Sequence, residues 1–561
     1  MNFMDKRYSI GMDFGTLSAR AVLVDVDTGD EVAVSIVGYQ DAVIDDMLPD
    51  TKIKLPAGYA LQNPKDYMEA LESLLRDILQ KSNVDPDRII GIGVDSTAST
   101  IIPVDKNYMP LCMHDEFKNN PHSWPKLWKH HGAQKQADTL NRIAEETGQK
   151  FLRHCGGKVS AEWLYPKAME ILEEAPMIYD ATYRFTELSD WLVYLLTGKE
   201  VRNSTVACLH AQWDPVRGFP SGEFFKAIDA RLEKIVEDKL GTHVQSFFTR
   251  AGGLTEEMAA KTKLRAGTAV CMGNSDSPVA FPALGVLQEG TALLVIGTSG
   301  VFMLLSKEEI MVPGAIGMAK DIFVPGYYGH IFGQSAVGDI FEWFMNNLVP
   351  YKYYIEAEEK GISIFDVMNG KVEKIPPGKS GLLALDWLNG NRCILQNTDL
   401  SGLIVGITLS TTTEHIYRAL IESTAYGLKM IVKAITDAGM TINEIYACGG
   451  LARKSPTIMQ IFADILGIRI RIAESTQTVA LGSAIMGALA AGKENGGYDC
   501  LEDAVSHMSH LSNKYYEPDS NKREIYDSCF KEYEKLHDYF GKGGNNVMHL
   551  LQKMNKEPHF D

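Results

Sequence analysis

Two short segments pair a glycine with a hydroxyl residue in a way suited to holding phosphate: Gly15-Thr16 and Gly297-Thr298-Ser299. A glycine at a hairpin tip lets backbone N–H groups approach phosphate oxygens, and the neighbouring hydroxyl adds a donor. Together the two could embrace a triphosphate, although either one alone is equally a tight turn. Asp13 sharpens the reading, because a carboxylate beside a phosphate loop is unfavourable unless a Mg²⁺ ion stands between them, directly or through water. Taken by itself it is as readily a turn or capping aspartate. Asp95 and Asp276 each follow an apolar run, 89–94 and 269–273, at the carboxyl end where open α/β sheets gather ligands. Either could accept the hydroxyl proton in phosphoryl transfer to an alcohol, or simply cap the next helix.

Gly449-Gly450 falls between a strand-like and a helix-like segment, where close backbone approach serves either a flat or anionic ligand or tight packing. Trp128, flanked by Lys126, Lys129, His130 and His131, is suited to stacking on a polyol, and equally to a solvated helix face. The run GALAAGK at 487–493 approaches a Walker A pattern. It ends in Glu494 where a metal-holding Ser or Thr belongs and lies in an Ala-rich helical stretch, so it is rejected.

The elements that must position these residues follow from hydrophobic periodicity. From Tyr8 three β-rich runs form a meander, a helix is predicted over 64–80, and a buried strand follows at 89–94. A meander followed by αβ alternation predicts a mixed-sheet α/β architecture. Five of the seven tryptophans lie between 124 and 213, the density of a core or pocket wall. A second hairpin opens at Thr291, about 285 residues after the first, so a domain boundary is expected near Gly285–Gly290 and two halves of similar pattern follow.

Composition narrows the classes of partner. With 55 Lys+Arg against 72 Asp+Glu the formal charge is −17, which disfavours nucleic acid and anionic membrane. Eight scattered cysteines include no CxxC pair and read as reduced thiols. The N-terminal stretch lacks signal-peptide features and no apolar run approaches the ~18 residues of a membrane span, so a cytoplasmic protein is expected.

Six stretches in order then resemble the FGGY carbohydrate kinases, most strongly their ribulokinase branch: GMDFGTLSARAVLVDVDTGDEVA (11–33), GIGVDSTAST (91–100), PLCMHDEFKNNPHSWPKLWKHH (110–131), GGKVSAEWLYPK (156–167), VPGYYGHIFGQSAVGDIFEWF (324–344) and ACGGLARKSPTIMQIFADILG (447–467). The resemblance implies a two-lobed actin-like ATPase (ribonuclease H-like) fold with an interdomain nucleotide cleft. The lobes would be 1–287, carrying the sugar site and base, and 288–498, binding ATP, followed by a peripheral helical extension at 499–561. It further implies ATP- and Mg²⁺-dependent phosphorylation of a ketopentose, or of a related ketose or polyol, and a homodimer.

By position, Asp276 matches the family's catalytic base. Asp13, Gly15 and Thr16 match the first phosphate hairpin, with Asp13 contacting the metal through water, and Gly297 and Thr298 match the second. Gly449, Gly450 and Lys454 fall in the adenosine-side motif, and Gln334 and Gly338 lie near the nucleotide. Asp95, Ala98 and Trp128 fall where the family lines its sugar pocket. His210 stands where ribulokinases typically carry Lys in a GYK motif, and Ile331 where they carry Glu. These two replacements also admit an alternative, a sugar- and nucleotide-binding sensor that no longer transfers phosphate.

Overall fold

Three apolar runs near the N-terminus form an antiparallel meander of β1 (Tyr8–Phe14), β2 (Ser18–Asp25) and β3 (Glu31–Gly38). This computed structural model describes residues 6–556. Residues 1–5, the start of the N-terminal stretch read above, and 557–561, the end of the expected extension, lie outside the described residues. The predicted helix spans Pro64–Ser82. Proline occupies its first turn, the Asn63 side chain accepts from the Lys65 N–H, and Asn83 closes it in the left-handed conformation. It returns the chain to β4 (Ile89–Ser96), parallel to β1.

The first sheet continues through β5 (Arg250–Gly253) and β6 (Ala269–Cys271), giving the order β3-β2-β1-β4-β6-β5. The short β7 (Asn274–Ser275) pairs with the end of β4 and leads directly into the helix Asp276–Ala283. The Ala-rich helix Thr478–Ala491 lies across β1 and β4. Its approach is backbone to backbone: a Cβ on Gly11 would come within 1.8 Å of the Ala480 carbonyl, and one on Gly93 within 1.8 Å of the Ser483 carbonyl. That packing explains the small-residue run, and it places the rejected Walker-like sequence on a helix.

The second sheet repeats the plan. Strands β8 (Gly290–Ile296), β9 (Gly300–Ser306) and β10 (Tyr328–Gln334) form an antiparallel meander. Then β11 (Ile442–Cys448) and β12 (Arg469–Ala473) add in parallel, in the order β10-β9-β8-β11-β12. Its core gathers around the helix Thr413–Asp437, where Tyr417 stacks on Phe344 with ring centres 5.1 Å apart.

The chain divides into two compact units, Met1–Leu287 with Ala319–Tyr327 and Gln477–His510, and Gln288–Met318 with Tyr328–Thr476 and Leu511–Asp561. A cut at 287/288 therefore captures the first crossing and misses the returns. The stretch 499–561 also departs from the expected peripheral helical extension. Its first part stays with the first unit, Leu511–Tyr516 adds β13 antiparallel to β12, and the helix Arg523–Gly541 buries Tyr526, Phe530, Tyr533 and His537 in the second core. The high charge of this segment hid that helical stripe, because its exposed face dominates the composition.

Candidate active site

Three aspartates converge at the carboxyl ends of the first sheet's central strands. Asp13 lies in register with Asp95 on β4, and Asp95 with Asn274 on β7, two residues before Asp276. Asp276 opens its helix and accepts from the Ser277 N–H at 2.6 Å and the Ser277 hydroxyl at 3.2 Å. Burial first, and then the negative charge of Asp13, push its carboxyl up to about 6. Asp13 is itself raised by burial, opposed by Arg20, whose Nε stands 3.2 Å from Oδ2. Arg20 faces Asp13 across the β1–β2 hairpin, and a Cβ on Gly15 would crowd its guanidinium at 2.9 Å.

Asp95, which the resemblance places at the sugar pocket, has no exposed surface, and its Oδ2 accepts the Ser483 hydroxyl at 2.5 Å. Burial and the charge of Asp13 raise it well above the usual carboxylate range. Ser483 comes from 388 residues away, so no local pattern announces the pair.

Trp128 and Thr16, which the resemblance assigns to the sugar and phosphate sides, are joined in this unit. Trp128 Nε1 donates to Thr16 Oγ1 at 3.1 Å, and Gln62 Nε2 donates to the Thr16 carbonyl at 2.9 Å. Ala98, partly exposed, precedes Ser99, whose φ of +56° turns its carbonyl inward to a fully buried ammonium. That ammonium is Lys167 Nζ, which donates to the carbonyls of Ser99 at 2.6 Å and Leu127 at 2.9 Å and so ties the loop beside Ala98 to the segment before Trp128. Burial lowers Lys167 to about 7. His210 is buried, its Nδ1 2.9 Å from Glu187 Oε1, on the helix Ser204–His210 that packs beside β7. Arg20, Lys167 and Glu187 were not singled out from sequence. Only Arg20 had a legible signal, its hairpin pairing with Asp13.

Of the Lys- and His-rich run around Trp128, Lys126 and His130 are buried, whereas Lys129 is half-buried and His131 exposed. Lys126 Nζ stands 2.9 Å from Glu170 Oε2 and His130 Nε2 3.0 Å from it, all three side chains fully buried. Burial alone would raise Glu170, but Lys126 and His130 hold it well below the usual carboxylate range. His122, Glu170 and Glu174 come close enough to share a cation, yet Lys126 already supplies the positive charge there.

The second unit holds the remaining residues. The Gly297 N–H donates to the Ser299 carbonyl at 2.9 Å, closing the turn. The Gly338 and Val337 N–H groups donate to the carbonyls of Gly297 at 3.0 Å and Thr298 at 2.8 Å, seating it at the start of the helix Gly338–Leu348. A Cβ on Gly338 would strike the Gly297 carbonyl at 2.4 Å. Gly449, at φ +101°, abuts Ile296, the residue before the turn, while a Cβ on Gly450 would meet open space. Lys454 is exposed at the end of the helix Gly450–Lys454. Gln334 pairs in register with Gly300, and Ile331 with Met303, so Ile331 belongs to this unit while Ala98, Trp128 and His210 belong to the first.

Duplicated sheets, a glycine-hydroxyl turn on each and an aspartate cluster on one are what the sugar-kinase resemblance leads one to expect. The family models agree: the FGGY family of carbohydrate kinases, N-terminal domain, matches residues 8–283, and its C-terminal domain matches 292–491. The chain belongs to this family. It is 50% identical over 538 residues to a ribulokinase of Bacillus licheniformis, spanning 96% of this chain and 97% of that protein. It is 47% identical over 556 residues to a ribulokinase of Halalkalibacterium halodurans, spanning 99% of each. The xylulose kinase structure from Rhodospirillum rubrum shares the fold at a TM-score of 0.77 with 22% identity, covering 98% of this chain and all of that one.

Proposed function

We propose that this carbohydrate kinase transfers the γ-phosphoryl group of ATP to a hydroxyl of ribulose, a ketopentose, with Asp276 as general base. The observation that carries the reading is Asp276 itself, a half-buried residue whose carboxyl burial and the charge of Asp13 raise to about 6 beside the Asp13–Arg20 pair. A base near neutral pH combines ionisation with proton affinity, which is what removal of a hydroxyl proton requires. The relatives named ribulokinase, at 47–50% identity over nearly the whole chain, support ribulose as the acceptor.

Each group has a derived task. Asp276 holds the acceptor hydroxyl and takes its proton. Trp128, fixed by its bond to Thr16, offers a face for the sugar, and His210, oriented by Glu187, a polar contact. The turn at 297–299 offers backbone N–H and hydroxyl donors to phosphate, with Gln334 and Gly338 behind it, and Gly449, Gly450 and Lys454 serve the nucleoside side. Asp13 raises the proton affinity of both Asp95 and Asp276, a negative charge that suits Mg²⁺ held by Asp13 through water. When bound, Mg²⁺ would offset charge on the phosphate oxygens. We also propose a cytoplasmic homodimer, which sizing of the purified protein and fractionation test. The phosphate-inactive sensor is not favoured, since both kinase domains match and Asp276 is present. Transfer of a radiolabelled γ-phosphate from ATP into ribulose, lost with Asp276→Asn, tests the proposal. Near-normal transfer by that variant refutes the base assignment.

A further inference from the structure

Gln334 is held by an unusual set of partners. Its Nε2 donates to Asp386 Oδ2 at 2.9 Å and to the Thr424 carbonyl at 2.8 Å. A carboxylate and a carbonyl only accept, so the amide nitrogen must face them and the carbonyl oxygen must turn away. A Cβ built on Gly300 would lie 3.5 Å from that oxygen, so it faces the first residue after the Gly297-Thr298-Ser299 turn. The second oxygen of Asp386 accepts the Tyr533 hydroxyl at 2.6 Å. Tyr533 is fully buried on the helix Arg523–Gly541, stacked parallel to Phe530, and Trp387 meets His537 of the same helix edge-on at 5.4 Å. This helix lies beyond the 292–491 family match.

We propose that Tyr533 and Asp386 are positioning residues for the nucleotide: the Tyr533 hydroxyl orients the Asp386 carboxylate, which fixes the Gln334 amide beside the 297–299 turn. The inference rests on the reading of that turn and Gln334 as nucleotide contacts. A buried carboxylate is a costly way to fill a core, and apolar side chains of similar size pack as well or better. What a carboxylate adds is a fixed direction for the donors around it. The helix Thr413–Asp437 also makes room for it. A Cβ on its Gly427 would fall 2.4 Å from Asp386 Oδ2 and 2.8 Å from Gln334 Nε2, although a mid-helix glycine is less favourable than alanine. Helix stability is given up where the network needs space.

Tyr533→Phe removes only the hydroxyl, and Asp386→Asn keeps the shape while turning the charge-assisted bond from Gln334 into a neutral one and reversing the direction of the bond to Tyr533. Affinity for a fluorescent ADP analogue, measured without sugar, should fall about fivefold in the first and about tenfold in the second, the scale of one net hydrogen bond. KM for ATP should rise in parallel while KM for ribulose and kcat hold within about twofold. Lower melting temperatures with unchanged nucleotide affinity in both variants would make the network purely structural and overturn the proposal. If Tyr533→Phe does not fold, Asp386→Asn decides by the same comparison. A wild-type protein that binds no nucleotide overturns the functional reading beneath the proposal, whereas wild-type binding matched by both variants overturns this inference alone.

Discussion

Lowering the pH should silence Asp276 before the fold gives way. The base acts as a carboxylate, so activity belongs to the high-pH side and is lost as pH falls through its pKa. With that pKa raised to about 6 by burial and the charge of Asp13, half of the population is protonated near pH 6. One unit lower, at about pH 5, roughly one molecule in ten retains the base, so kcat/KM for the sugar should be about a tenth of its plateau. An ordinary aspartate, titrating near 3.9, would show almost no loss at that pH. The assay is a pH profile of kcat/KM at saturating Mg²⁺-ATP, with circular dichroism confirming a folded protein at each point. Arg20 lowers both Asp13 and Asp276, so Arg20→Gln should move the acid limb upward. A flat profile down to about pH 4.5, or a limb unmoved by Arg20→Gln, would refute the electrostatic reasoning.

Lys167→Met leaves the Ser99 and Leu127 carbonyls without their buried donor and should raise KM for the sugar about tenfold with a lower melting temperature, read by steady-state kinetics and thermal melts. Gly93→Ala drives a methyl group into the Ser483 carbonyl and should destabilise the first unit by about 2–3 kcal/mol in urea titration. Glu187→Gln weakens the hold on His210 Nδ1 and should raise KM for the sugar about fivefold while KM for ATP stays constant.

The parts of the fold carried by local pattern were legible. Each glycine-hydroxyl turn sits between two β-rich runs, and each strand-end aspartate follows an apolar run, so local pattern located β1, β4, β8 and the approach to Asp276. What stayed hidden depends on distant partners. Asp95 reads as a strand-end acid, and only the helix carrying Ser483 makes it a sealed companion of Asp13. The charged surface of Arg523–Gly541 masked Tyr533, whose partner Asp386 lies 147 residues earlier. Lys126 and His130 looked like a polar run because burial is decided by Glu170, which arrives from another helix.

The most direct measurement is ADP release with Mg²⁺-ATP across ribulose, xylulose, ketohexoses, ketotetroses and polyols, with Asp276→Asn as the control. Highest kcat/KM on ribulose, abolished in the control, is the expected result. A preference for another sugar would contradict ribulose as the acceptor, and silence across the whole panel despite nucleotide binding would contradict the assignment of a ribulose-phosphorylating enzyme.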